Sequence, residues 1–169
     1  MFAFLARYIT RSRIEKQNLK RQKRFLNWDK IEKIALIVDN AQPINKSELD
    51  KFIEGTKKYM DVYFIELSAK QASFSDWICL TKKDKTFLNL PKAHVESTIK
   101  NRQYQLVINT TGKHTLFAAN IVSLINPPYS CGNQNLYGET DLIVEKKSGV
   151  SLTAYLNDVI KYLVMIKTP

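Results

Sequence analysis

An α/β fold with a mostly parallel sheet flanked by helices is what this sequence predicts, and three observations carry the prediction. Short apolar runs rich in β-branched and aromatic residues recur at 33–38 (KIALIV), 62–67 (VYFIEL), 104–109 (YQLVIN) and 140–145 (TDLIVE). Stretches with apolar residues at helical spacing separate them, so strands and helices alternate, as in a sheet covered on both faces. The chain opens on 24 residues free of Gly and Pro and crowded with bases, which predicts a long polar helix ahead of the sheet.

The elements follow in order. Residues 2–24 form the opening helix, about 33 Å long at 1.5 Å per residue. Its first turns place Phe4, Leu5, Tyr8 and Ile9 on one arc, with Arg7 and Arg11 outside it. Residues 25–29 (FLNWD) are the joint to the body. The run at 33–38 is a buried first strand ending at Asp39 and Asn40. Pro43 breaks the chain, and Asn45 or Ser47 caps a helix running to about residue 59, with Leu49, Phe52 and Ile53 inward. Residues 62–67 are the second strand.

Residues 76–90 read as a hairpin or strand–turn–strand excursion around Lys82–Asp84, closed by Pro91. A short helix over 93–102 leads into the strand at 104–109. A helix over 114–125 is stopped by Asn126, Pro127 and Pro128. Residues 129–132 form a short strand and 140–145 a clearer one. The gap between them is shorter than the dozen residues that a parallel crossover needs, which points to an antiparallel edge. Ser151 caps a last helix to residue 166, with Leu152, Tyr155, Leu156, Val159, Ile160 and Leu163 at helical spacing. The whole is a Rossmann-like layout, with a basic N-terminal helix over 1–26 and a single α/β domain over 27–169.

With 169 residues the chain suits one domain, able to bury about 70% of its unfolded surface. Charge is its most informative property. Arg7, Arg11, Arg13, Lys16, Lys20, Arg21, Lys23 and Arg24 stand against one acid, Glu15, so most of the net +10 sits in the first 24 residues. Such a block attracts a polyanion, either RNA phosphates or an anionic membrane face. Phe2, Phe4 and Tyr8 among these bases can stack on unpaired nucleobases, enter a membrane interface, or dock on the domain itself.

The opening apolar run, residues 1–6, precedes the charges and is far too short to span a bilayer, so neither a secretory signal nor a membrane span is expected. An Arg-rich, acid-poor start is shared with organelle-targeting peptides, but here it continues into a long helical pattern. The expected location is the cytoplasm, with the inner face of the membrane as the other option. Cys79 and Cys131 lack metal or CxxC spacing and read as small hydrophobes in a reducing compartment.

Ligands of open α/β sheets bind beyond the carboxyl ends of the strands. Asp39–Asn40, Glu66–Ser68 and the loop Asn109, Thr110, Thr111, Gly112, Lys113, His114 face that way. A Thr/Gly loop entering a helix with a lysine beside it can cradle phosphate on backbone N–H groups. It lacks the P-loop pattern, since Val107 stands where the first Gly belongs and His114 where Ser or Thr belongs. The alternative is a strand-to-helix turn whose Thr side chain caps the helix. His94 and His114, the two histidines, have no nucleophile or carboxylate partner assignable from sequence. No GxGxxG, carboxylate cluster or Cys/His set calls for a cofactor or metal.

Two stretches carry a family resemblance: residues 80–111 (LTKKDKTFLNLPKAHVESTIKNRQYQLVINTT), and residues 117–166 with PPYSCG, TDLIVE and the closing YLNDVIKYLVMI. Together with the basic helix and NWDKIEKIALIVD, they resemble an uncharacterised domain-of-unknown-function family of small cytoplasmic bacterial proteins from the Bacteroidota. That resemblance implies an α/β fold and no known activity. YQLVINTTGKHTLFAANIVSLINPPYSCG is also similar in layout to the acceptor-side half of heptosyltransferase-type glycosyltransferases. Three functions are therefore expected. The first is a non-enzymatic binding or adaptor protein whose basic helix engages RNA or a ribonucleoprotein. The second is a glycosyltransferase-like or nucleotide-sugar-binding domain using Asp39 and residues 109–114. The third is a peripheral membrane protein anchored by the helix. Any protein partner is left open.

Overall fold

The computed structural model describes residues 2–41, 43–69 and 73–166. Met1, at the start of the expected basic segment, and residues 167–169, at the end of the expected body, lie outside them. Among the described residues five helices and six strands follow one another. They are α1 (Phe2–Lys20), β1 (Lys33–Asp39), α2 (Lys46–Thr56), β2 (Tyr59–Glu66), β3 (Ile78–Thr81), α3 (Ala93–Lys100), β4 (Leu106–Asn109), α4 (Thr115–Ile125), β5 (Tyr129–Gly132), β6 (Leu142–Ile143) and α5 (Leu152–Met165).

The strands form one sheet in the order β3-β2-β1-β4-β5-β6, and all five pairings are parallel. This is the Rossmann-like layout expected. β1 lies at the centre, paired Leu36 to Val62 on one side and to Ile108 on the other. Alternation along β1 explains why its run is apolar throughout. Ile34, Leu36 and Val38 enter one core with Leu49 of α2 and Leu152, Leu156 and Val159 of α5. Ala35 and Ile37 enter the other, with Val95 and Ile99 of α3 and Phe117 and Ile121 of α4.

α4 is apolar almost all round, and only a helix covered on two sides tolerates that. The sheet covers one side and α1 the other. Ala6, Thr10 and Ile14, one turn apart, are the buried stripe of α1. The Asn120 side-chain amide of α4 donates to Thr10 Oγ1 at 2.8 Å. Phe4 and Tyr8 face outward, at 78% and 64% exposure, and do not dock on the domain, whereas Phe2, itself exposed, meets the Phe87 ring edge-on with 6.0 Å between centres.

Three local expectations are corrected. First, α1 stops at Lys20 instead of running to residue 24, because the Arg21 guanidinium turns inward to the Pro127 carbonyl at 2.6 Å. Second, residues 76–90 make no hairpin. β3 pairs in parallel with β2, and Thr81 then caps a 3-10 turn: the Asp84 carboxylate accepts from the Thr81 N–H at 2.7 Å, and Thr81 Oγ1 accepts from the Lys83 N–H. Only Lys85 and Pro91 make an antiparallel bridge. Third, the β5–β6 edge is parallel despite its short connection. The loop needs no helix because Glu139 folds it, accepting from the Leu136 and Tyr137 N–H groups, both at 2.8 Å.

Cys79 and Cys131 are free thiols on β3 and β5, with three strands between them. Burial pushes the Cys131 thiol up. No described helix is long and apolar enough to cross a membrane.

Candidate functional site

The carboxyl edge of the sheet brings together Asp39 and residues 109–114, the seven candidate ligand-binding residues. Asp39 closes β1, and residues 109–114 connect β4 to α4. The N–H groups that would cradle a phosphate are occupied by the Asp39 carboxylate. Its Oδ2 accepts from Gly112 at 3.1 Å, Lys113 at 2.6 Å and His114 at 2.9 Å, and Oδ1 accepts from Ala41 at 3.1 Å. An anion does sit at the start of α4, as the helix dipole favours, and the chain supplies it. Asp39 of the neighbouring strand thus braces the loop ahead of α4, whose N-cap position, His114, makes no side-chain capping bond, so the threonine cap that sequence suggested is not formed.

The rest of the loop is tied inward. Asn109 Oδ1 accepts from the Thr111 N–H at 3.2 Å and hydroxyl at 2.9 Å, and the Thr110 hydroxyl donates to the Ile37 carbonyl. His114 Nε2 lies 3.1 Å from Asn40 Oδ1. Burial pushes the His114 imidazole below its ordinary value, which leaves it neutral near pH 7. His94, exposed, pairs with Asp84 at 2.7 Å. The Ser73 hydroxyl donates to Glu66 at the end of β2. Among the described residues no group of three or more Cys, His, Asp or Glu side chains is gathered in metal-ligating proximity.

Beside this cluster opens a cleft of about 620 Å³, bounded by the ends of β1 and β4 and by the loop entering α5. Lys146 lines it, and sequence reasoning missed that residue. The available signal was KKSGVS at 146–151, a basic Gly-containing loop ahead of a Ser-capped helix, the same layout as the loop before α4.

The eight bases of the N-terminal segment divide evenly. Arg11 pairs with Glu15 at 2.7 Å and Arg13 with Glu96 of α3 at 2.9 Å. Arg21 and Lys23 both hold Asp141, Lys23 at 2.8 Å. Burial alone would raise the Asp141 carboxyl. The Lys23 hydrogen bond and the Arg21 charge outweigh it and keep that carboxyl below its ordinary value. Arg7, Lys16, Lys20 and Arg24 are exposed, and among the described residues no carboxylate lies within ion-pair distance of them.

At the amino edge of the sheet a second cleft, of about 850 Å³, joins α1 to the body. Arg13, Lys16, Lys33, Lys100 and Arg102 line it against the single acid Glu32. Two carboxylates stand behind these bases. Glu96 serves Arg13 and, at 3.7 Å, Lys100, while Asp61 binds Arg102 at 2.7 Å. Burial would raise Asp61, but hydrogen bonds from Tyr104, Arg102 and Tyr59 hold it down and ionised. Among the described residues no carboxylate lies within ion-pair distance of Lys33. Its ammonium rests 5.2 Å from the Tyr59 ring centre and 5.3 Å from that of Tyr104. Sequence could not single out Lys33, Lys100 and Arg102, because acids interleave with bases through the body and only the fold sorts them.

No curated protein and no solved structure matches the chain. One family model does, over residues 3–166, and so takes in α1 together with the sheet. The chain belongs to the Family of unknown function (DUF6913).

Proposed function

We propose that this is a binding protein that holds a single strand of RNA in the basic cleft between α1 and the amino edge of the sheet. The carrying observation is that cleft. Five basic side chains line it against one acid, and Lys16 and Lys33 have no carboxylate partner among the described residues. Lys20 follows Lys16 by one turn of α1, and the Arg24 backbone hydrogen-bonds Pro128 at the cleft wall, so the free bases continue along the same rim. Arg7 lies about 14 Å away along the helix and contributes at longer range. Arg11, Arg13, Arg21 and Lys23 are partly or wholly neutralised by the chain's own acids; Arg11 pairs within α1, and the other three tie the N-terminal segment to the body.

Shape separates the two polyanions. A bilayer is close to planar and meets only convex ground, whereas a strand of phosphates can lie along a groove. Gln17, Gln103 and Gln105 add amide donors and acceptors to its wall.

The test is fluorescence anisotropy of a labelled oligouridylate with the intact chain. Three to five phosphate contacts predict affinity falling about 20–130-fold between 50 and 200 mM salt. Lys16→Glu with Lys100→Glu should weaken binding at least about tenfold, since two contacts become repulsions. An affinity indifferent to salt, or to that pair of substitutions, overturns the reading. Sedimentation with anionic vesicles in the absence of RNA affinity would hand the surface to a membrane instead.

A further inference from the structure

We propose that the carboxyl-edge cleft binds a nucleoside monophosphate, with its phosphate on Lys146 and its base against the apolar wall. This site is separate from the RNA cleft, which lies at the opposite edge of the sheet.

Topology opens the crevice. β1 and β4 are adjacent, but α2 follows β1 onto one face and α4 follows β4 onto the other. The two loops therefore diverge, as at every point where the winding of an open sheet reverses. The space, about 620 Å³, falls within the range of small-ligand sites, about 300–1,000 Å³.

Lys146 gives the crevice a charge preference. Its ammonium is half-buried, 5.7 Å from the centre of the Tyr155 ring, with no carboxylate at ion-pair distance among the described residues. Burial pushes it below the ordinary lysine value, and the more distant Asp39 offsets this only in part. The charge of Asp39 is already engaged by the N–H groups of Ala41, Gly112, Lys113 and His114. A half-buried cation whose nearest anion is committed elsewhere is stabilised by an anionic ligand.

The remaining lining sets the ligand's other features. Pro43, Ile44, Leu49 and Val150 make an apolar wall suited to a flat heterocycle. Glu48, at the rim, accepts from the Thr153 hydroxyl and has capacity left for a ribose hydroxyl.

Calorimetry with the intact chain tests the assignment, using AMP, ribose 5-phosphate and inorganic phosphate. AMP should bind saturably and most tightly, ribose 5-phosphate more weakly, and phosphate weakest. Equal binding of the two phosphomonoesters would overturn the role of the apolar wall. Lys146→Ala should reduce AMP affinity at least tenfold, Lys146→Arg should retain most of it, and Lys51→Ala, exposed on α2 outside the cleft lining, should change it little. Lys146→Gln, closer in length, serves if the alanine variant unfolds. Absence of saturable AMP binding at millimolar concentration, or unchanged affinity in both Lys146→Ala and Lys146→Gln, overturns the proposal. Oligouridylate binding should persist in the Lys146 variants, so failure of either site is read independently.

Discussion

Arg21 shows how a residue can be visible in sequence and still be misread. It counts as one more base in a basic run, yet its side chain is 3% exposed and spans the Pro127 carbonyl, Ser130 and Asp141. Breaking a buried pair costs about 3–5 kcal/mol, and Lys23 stays behind to hold Asp141. Arg21→Ala should therefore lose stability near the lower end, about 3 kcal/mol, as read by chemical denaturation. Because the Asp141 carboxyl is depressed in the fold, its contribution is complete above the ordinary carboxylate range, about pH 4, and fades as pH drops through the folded value. Stability of the Arg21→Ala protein should accordingly fall less steeply between about pH 5 and pH 2 than that of the wild type; parallel acid limbs would contradict this account. Asp39 presents the opposite case. Its place at a strand end is legible, but its role as brace of the loop before α4 is not, since the bonds cross 73 to 75 residues and exist only through the β1–β4 register.

Elements with a one-sided pattern were the easiest to read. Leu152, Tyr155, Leu156, Val159 and Leu163 are inward on α5, as their spacing indicated. β1, β2 and β4 fall where apolar runs predicted, although β2 begins three residues earlier at Tyr59 because its register with β1 continues to Lys33. Two readings failed where local pattern is silent. The edge strands β3 and β6 are short, and their direction is decided by the loops that deliver them. Gly132 illustrates such a tertiary constraint. A Cβ there would lie 2.3 Å from the Asn109 carbonyl oxygen, so β5 approaches β4 only with no side chain present. Gly132→Ala should cost stability toward the upper end of about 1–3 kcal/mol, because a strand backbone must move. Hydrogen exchange should show the loss concentrated in β5 and β6; unchanged protection of those amides would refute it. The second apolar face of α4 was also present in sequence as a stretch hydrophobic all round, and it called for a cover that α1 provides.

For the molecule as a whole, the decisive change from sequence to fold is where charge lies. Half of the N-terminal bases are engaged by carboxylates, while bases dispersed through the body gather with Lys16 around one cleft. α1 is consequently both a cover and a binding surface, and the two roles separate experimentally. Deleting residues 2–20 should uncover α4 and yield aggregation or poor solubility in size-exclusion chromatography, whereas Lys16→Glu with Lys20→Glu should elute as a folded species with an unchanged melting temperature. A soluble, folded deletion would mean that the cover is dispensable.

The clasp of Arg21 and Lys23 on Asp141 has a consequence for how the chain comes off the ribosome. Arg21 lies 120 residues from Asp141, so α1 emerges early and waits for its anchor. At about 5–20 residues per second that wait lasts roughly 6–24 s. Through it the helix carries its stripe of Ala6, Thr10 and Ile14 uncovered, and like-charge repulsion between the basic helices of nascent copies keeps them apart until Asp141 arrives.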